Sequence, residues 1–110
     1  MKMCKKYACH RVYDSYHHYL NQSVVALSSH GEVLSVTSLS EETSFTEWIG
    51  GIIILSHLTE IPLHTDFQEL IHHLTSHTQS PLYAWHISDF DFQQETISPQ
   101  SIIRRLSSGV

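Results

Sequence analysis

The sequence predicts an α+β domain: a small, antiparallel, hairpin-rich sheet or small sandwich with one longer and one short helix, in the order ββββαβα. Three observations carry this expectation. Short runs of β-branched and aromatic residues, separated by turn residues, fill the first half. Ile52, Ile53 and Ile54 form an unalternated apolar run, the pattern of a strand buried on both faces. Leu63, Phe67, Leu70, Ile71 and Leu74 form a stripe at helical spacing in the second half. Strands that come first, rather than alternating with helices, argue for α+β.

Tyr7–Tyr13 mixes aromatic and β-branched residues and reads as a strand, with Asp14-Ser15 as the turn behind it. Tyr16–Tyr19 fits loop or strand. Strands are expected within Gln22–Ser29 and Glu32–Leu39, joined by a two-residue turn at His30-Gly31. Gly accepts positive φ without steric cost, and His is among the residues enriched there. Ser38–Ser44 is a polar loop. Thr46–Leu55 is the next strand, with Gly50-Gly51 marking a bulge or a close backbone approach.

The long helix opens on Thr65 as N-cap, with Gln68 completing a capping box and Asp66 and Glu69 in the first turn. Ser80-Pro81 ends it. Leu82–Phe92 is again a strand. Tyr83, Trp85 and Ile87 share one parity, Phe90 and Phe92 the other, which places a bulge near Ser88-Asp89. Ser98 and Pro99 open the short helix, with Ile102, Ile103 and Leu106 inward and Arg104 and Arg105 in its last turn.

A length of 110 residues fits one domain over 1–110. An apolar fraction of 41% against 15% charged excludes the composition of a disordered chain. The net charge is −5, and between Arg11 and Arg104 there is no Lys or Arg, so a nucleic-acid partner is not expected. The longest apolar run, Trp48–Leu55, holds two glycines and is far short of the ~20 residues of a membrane helix. Met1–His10 is basic without an apolar stretch behind it, so no signal peptide is read. A cytoplasmic location follows as an expectation, with Cys4 and Cys9 as free thiols.

Ten histidines invite a metal reading. His73 and His77 have the i, i+4 spacing of two helical ligands, but no third ligand is nominated. With His72 they read as a polar helix face. Asp89 and Asp91 form a DxD pair suited to a divalent cation, or the solvent face of a strand whose Phe90 and Phe92 point inward. No G-x-S-x-G singles out a serine, and the four glycines form no phosphate-cradling pattern. Cys9 and His10 are neighbours on a strand and point to opposite faces. No residue is assigned a catalytic, cofactor-binding or metal-binding role.

Ser23–Leu27, Ser29–Val33 and Trp48–Ile54 follow one another as strand, tight turn and Gly-containing strand. From Ala8 to Ser56 this order resembles the N-terminal β-segment of the amidohydrolase superfamily. That family continues with Pro-Gly and a paired H-x-H metal motif. Here Leu55–Thr59 stands in that place with His57 alone, and the sequence has no H-x-H. The family's barrel needs about 250 residues, and 54 follow Ser56. The resemblance therefore implies a detached β-segment over 8–56, followed by helix–strand–helix over 57–110, without a carried-over catalytic residue.

Two functions are expected from these features. One is a non-catalytic interaction or assembly domain that forms a homodimer through poorly protected strand edges. The other is a protein with a His/Asp-lined pocket for a ligand or metal, with possible hydrolase activity.

Overall fold

The computed structural model describes residues 5–15, 18–38, 46–60, 66–75, 81–98 and 100–107. The strands are β1 (Lys5–Ser15), β2 (His18–Leu27), β3 (Val33–Ser38), β4 (Thr46–Trp48) and β5 (Ile52–Ser56). The helix α1 (Phe67–Leu74) follows, then β6 (Tyr83–Ile87), β7 (Phe90–Asp91), β8 (Thr96–Ile97) and β9 (Ile103–Arg105). The main sheet runs β3-β2-β1-β5-β6-β9, with β4 also on β1. It is a mixed sheet: β4 and β5 both pair parallel with β1, while the remaining pairs are antiparallel. Among the described residues the structure is thus mostly β with one helix, and the antiparallel expectation fails at its centre.

The parallel pairing follows from the double glycine. Thr46–Leu55 does not run as one strand; it breaks at Ile49–Gly51, where Gly50 and Gly51 take φ +66° and +59°. Both pieces then align on β1, Lys6–Ala8 with β4 and Arg11–Tyr13 with β5. Ile52, Ile53 and Ile54 are fully buried, as an unalternated run requires.

β1 and β2 form the expected first hairpin, but Asp14 and Ser15 belong to β1 rather than to a turn. His18 closes back on Asp14 with Nδ1 2.7 Å from Oδ1. The β2–β3 connection is a three-residue loop rather than the two-residue turn. Ser28 N donates to Glu32 O at 2.8 Å and Gly31 N to Ser28 O at 3.0 Å. Only Gly31 of the loop takes positive φ, +82°, which is the αL residue after a type I turn. The register then shifts between Ala26 and Leu27.

The two faces of the sheet bury two clusters. Tyr13, Ile52, Ile54, Trp85 and Ile87 pack against Phe67, Leu70, Ile71 and Leu74 of α1 and Phe90 of the β7–β8 hairpin. Tyr7, Cys9, Val12, Val25, Leu27, Ile53, Ala84 and Leu106 form the other. On that side the sheet curls until the start of β3 reaches the start of β6: Glu32 bridges Tyr83, and Val33 N donates to Leu82 O at 2.7 Å.

Three local expectations change. The N-cap is Asp66, whose carboxylate accepts from Glu69 N at 2.8 Å; Thr65, Leu63 and His77 lie outside the described residues. The break near Ser88-Asp89 ends β6, and β7 leaves the sheet to pair with β8. The short terminal helix is instead strand β9 on β6, with Ile102 63% exposed rather than inward. Ser98 still makes capping contacts, accepting from Gln100 N through Oγ and from Ser101 N through its carbonyl. They close a turn, while the open edge of β6 takes up the following residues.

Candidate functional site

Strict alternation would set Cys9, Arg11 and Tyr13 on one face of β1. They separate because the ladder is interrupted: Cys9 pairs with Ser23 and Arg11 with Asn21, while His10 and Gln22 drop out. Gln22 sits at φ +42°, a conformation that costs a non-glycine residue about 1–2 kcal/mol. His10 N turns to Gly51 O at 3.2 Å. Cys9 and Val12 thus both enter the concave cluster, while Tyr13 enters the helix-side one.

A cleft of about 430 Å³ opens at this kink, lined by His10, Arg11, Asn21, Gln22 and Phe92. The His10 ring stands edge-on between Trp48, centroids 4.8 Å apart, and Phe92, 5.1 Å apart. Trp48 is half exposed beside it. The Arg11 guanidinium lies over Tyr19 at 4.3 Å and Phe92 at 5.1 Å. Its Nη1 donates to Tyr13 Oη at 3.0 Å, and the Tyr13 hydroxyl donates to Glu95 Oε2 at 2.9 Å. Burial, ahead of the opposed effects of Arg11 and Glu95, pushes the Tyr13 hydroxyl up to about 12, so it stays a donor at neutral pH. Glu95 is held at φ +54° in the β7–β8 turn. Two strained non-glycine residues thus flank one aromatic, cationic cleft, the kind of place where strain marks a site.

On the opposite face His86 is buried, and its Nε2–H donates to Gly50 O at 3.1 Å. Burial, with Arg104 adding to it, lowers its affinity for a proton below the ordinary imidazole value of 6.5. The folded chain therefore keeps His86 neutral where the unfolded chain takes up a proton. The stability this contributes is complete above pH 6.5 and is lost as pH falls from there through the folded value. Denaturant unfolding of wild type and His86→Gln across pH 4.5–8 should show a steeper acid loss for wild type. Parallel curves would show that His86 does not titrate with folding.

Cys9 shares this buried face. Desolvation raises its thiol to about 12, and the Sγ–H donates to Arg11 O at 3.0 Å. It remains a thiol at neutral pH and is a core residue rather than a nucleophile. Cys4 lies outside the described residues. His72 and His73 are exposed on α1. Asp91 accepts from Gln93 N at 3.0 Å and Gln94 N at 3.1 Å, closing the β7–β8 turn. Asp89, at φ +52°, carries the bend that ends β6. Among the described residues no three of His, Cys, Asp and Glu converge on a common point. No helix among them is long and apolar enough to cross a membrane. Lys5 pairs with Glu47 at 3.2 Å, and Arg105 covers the Tyr83 ring at 5.2 Å. The basic ends of the chain thus lie on β1 and β9, with β5 and β6 between them.

The cleft residues were not singled out by the sequence. The signals were present in part: Phe92 at the parity switch, and Trp48 before the double glycine. What joins them is the loss of the His10–Gln22 pair, which has no local signature. No protein-family model, curated protein or solved structure matches the chain.

Proposed function

We propose that this protein is a non-catalytic binding domain whose ligand occupies the cleft of His10, Arg11, Asn21, Gln22 and Phe92. The observation that carries the reading is the kinked β1–β2 ladder, which turns a guanidinium, an imidazole and two amides toward one aromatic-walled opening. These groups recognise and orient; ring faces give contact area at low entropic cost and the amides fix direction. Amide spectra of labelled protein, recorded against a library of small aromatic and polar compounds, test the proposal. Binders should perturb His10, Arg11, Asn21, Gln22 and Phe92 together, and Phe92→Ala should weaken them roughly tenfold, a loss of about 1.4 kcal/mol. Perturbations that gather elsewhere would remove the cleft from consideration.

Descent of such a domain from an amidohydrolase-type β-segment belongs to the same proposal. It stands on the sequence order of Ser23–Leu27, Ser29–Val33 and Trp48–Ile54 alone, and it brings no catalytic residue.

A second reading, assembly into a two-fold dimer, is favoured by β3. This strand ends the sheet path, and beyond Val33, whose N–H is taken by Leu82 O, it carries neither Lys nor Pro and shows Leu34 56% exposed. Antiparallel pairing of β3 with its copy would cover both edges at once. Light scattering should then give twice the 12.6 kDa chain mass for wild type and one chain mass for Leu34→Lys. A single chain mass for wild type up to about millimolar concentration would exclude this dimer.

A further inference from the structure

We infer that the ligand of this cleft is a small planar acid, an aromatic or heteroaromatic carboxylate, with its carboxylate on Arg11 and its ring against Phe92. This rests on the cleft being a binding site at all, and goes on to name the chemistry it takes.

The chain holds eleven acidic residues against six basic ones, yet no acidic side chain lines the cleft among the described residues, and Arg11 is its cation. Arg11 has only 17% of its side chain exposed and is flanked by two rings, so it is held in place and partly stripped of water. A guanidinium has five N–H donors in a planar fork. Here Nη1 serves Tyr13, and the nearest carboxylate oxygen among the described residues, Glu95 Oε2, stands 3.8 Å from that same nitrogen, beyond hydrogen-bond reach. Glu95 spends its hydrogen bond on the Tyr13 hydroxyl instead. Among the described residues the guanidinium is thus balanced in charge but not saturated in donors. A loose pair at this distance is worth little, whereas a carboxylate that meets two N–H groups in parallel gains a stronger, charge-assisted interaction.

The remaining lining groups, His10, Asn21 and Gln22, offer polar edges, while Phe92 offers a ring. His10 is held edge-on against both Phe92 and the half-exposed Trp48, so aromatic rings border the opening. About 430 Å³ suits one or two fused rings with a carboxylate and is small for a peptide chain.

The test pairs indole-3-carboxylate with its neutral counterpart indole-3-carboxamide, both titrated into labelled wild-type protein and followed by amide spectra. The carboxylate should perturb His10, Arg11, Asn21, Gln22 and Phe92 and bind on the order of tenfold more tightly than the carboxamide. Arg11→Lys should weaken the carboxylate by a similar factor, since a lysine keeps the charge and loses the fork, and should leave the carboxamide unaffected. Equal binding of both probes on these residues would overturn the acid and leave the cleft standing. No perturbation by either, with binders from the wider library gathering elsewhere, would overturn the cleft itself.

Discussion

Gly51→Ala should destabilise the fold by about 2–5 kcal/mol, the sum of a left-handed conformation forced on alanine and an overpacked contact. The backbone of Gly51 sits at φ +59°, and a Cβ there would lie 2.3 Å from the carbonyl oxygen of Ile87 and 3.2 Å from His86 Nε2. The nearest obstacle is backbone, so it cannot swing aside. β5 would have to separate from β6 next to the Ile52–Ile87 pair, and the bond from His10 N to Gly51 O would be strained with it. Gly50 supplies the control. It has a similar φ of +66°, but its added Cβ would meet nothing closer than Trp48 Nε1 at 3.8 Å. Gly50→Ala should therefore cost only the conformational part, about 1–2 kcal/mol. Urea unfolding of the two variants separates them, and folded Gly50→Ala beside an insoluble Gly51→Ala carries the same meaning. Equal costs would show that Gly51 does not abut β6.

The same glycine pair shows how far the fold could be read from the chain. A close approach at Gly50-Gly51 was legible because two adjacent glycines before an isoleucine run serve little else. That the break would lay both halves parallel on β1 was not, because pairing partners lie some forty residues apart and local pattern is silent on them. The helix was legible for the opposite reason: its stripe of Phe67, Leu70, Ile71 and Leu74 is local, and each residue is at most 1% exposed. Its cap was misplaced by one residue, since Thr65 and Asp66 are equally good cap chemistry and only geometry chooses between them. The terminal segment failed because Ser98 and Pro99 are sound helix-start signals. The unfilled edge of β6 outweighed them, binding Ile103–Arg105 through a ladder that a short helix cannot match. The cleft was hidden by the same kind of cause. Its residues come from β1, β2 and the β7–β8 hairpin, and they meet only because one rung of a ladder is missing.

Leu70→Ala and Ile53→Ala should each cost about 2–5 kcal/mol, the range for removing a fully buried aliphatic side chain, yet they should fail in different places. Both side chains are at 0% exposure. Leu70 lies in the cluster between α1 and the sheet, with Ile54, Trp85 and Phe90. Ile53 lies on the reverse of the same strand, with Val12, Val25, Leu27 and Ala84. An eight-residue helix is too short to persist in water by its own hydrogen bonds, so α1 depends on that packing. It is also tied to β5 by Ser56 Oγ, which donates to Leu74 O at 2.6 Å. Losing Leu70 should thus release α1 locally: its amides should exchange faster, while those of β1, β5 and β6 remain protected. Losing Ile53 opens a cavity among the central strands, so exchange should quicken across β1, β2, β5 and β6 together. Hydrogen exchange read residue by residue, with urea unfolding for the totals, distinguishes the two patterns. Totals near zero for either variant, or faster exchange confined to α1 in Ile53→Ala, would mean that the two faces of β5 do not bury separate cores.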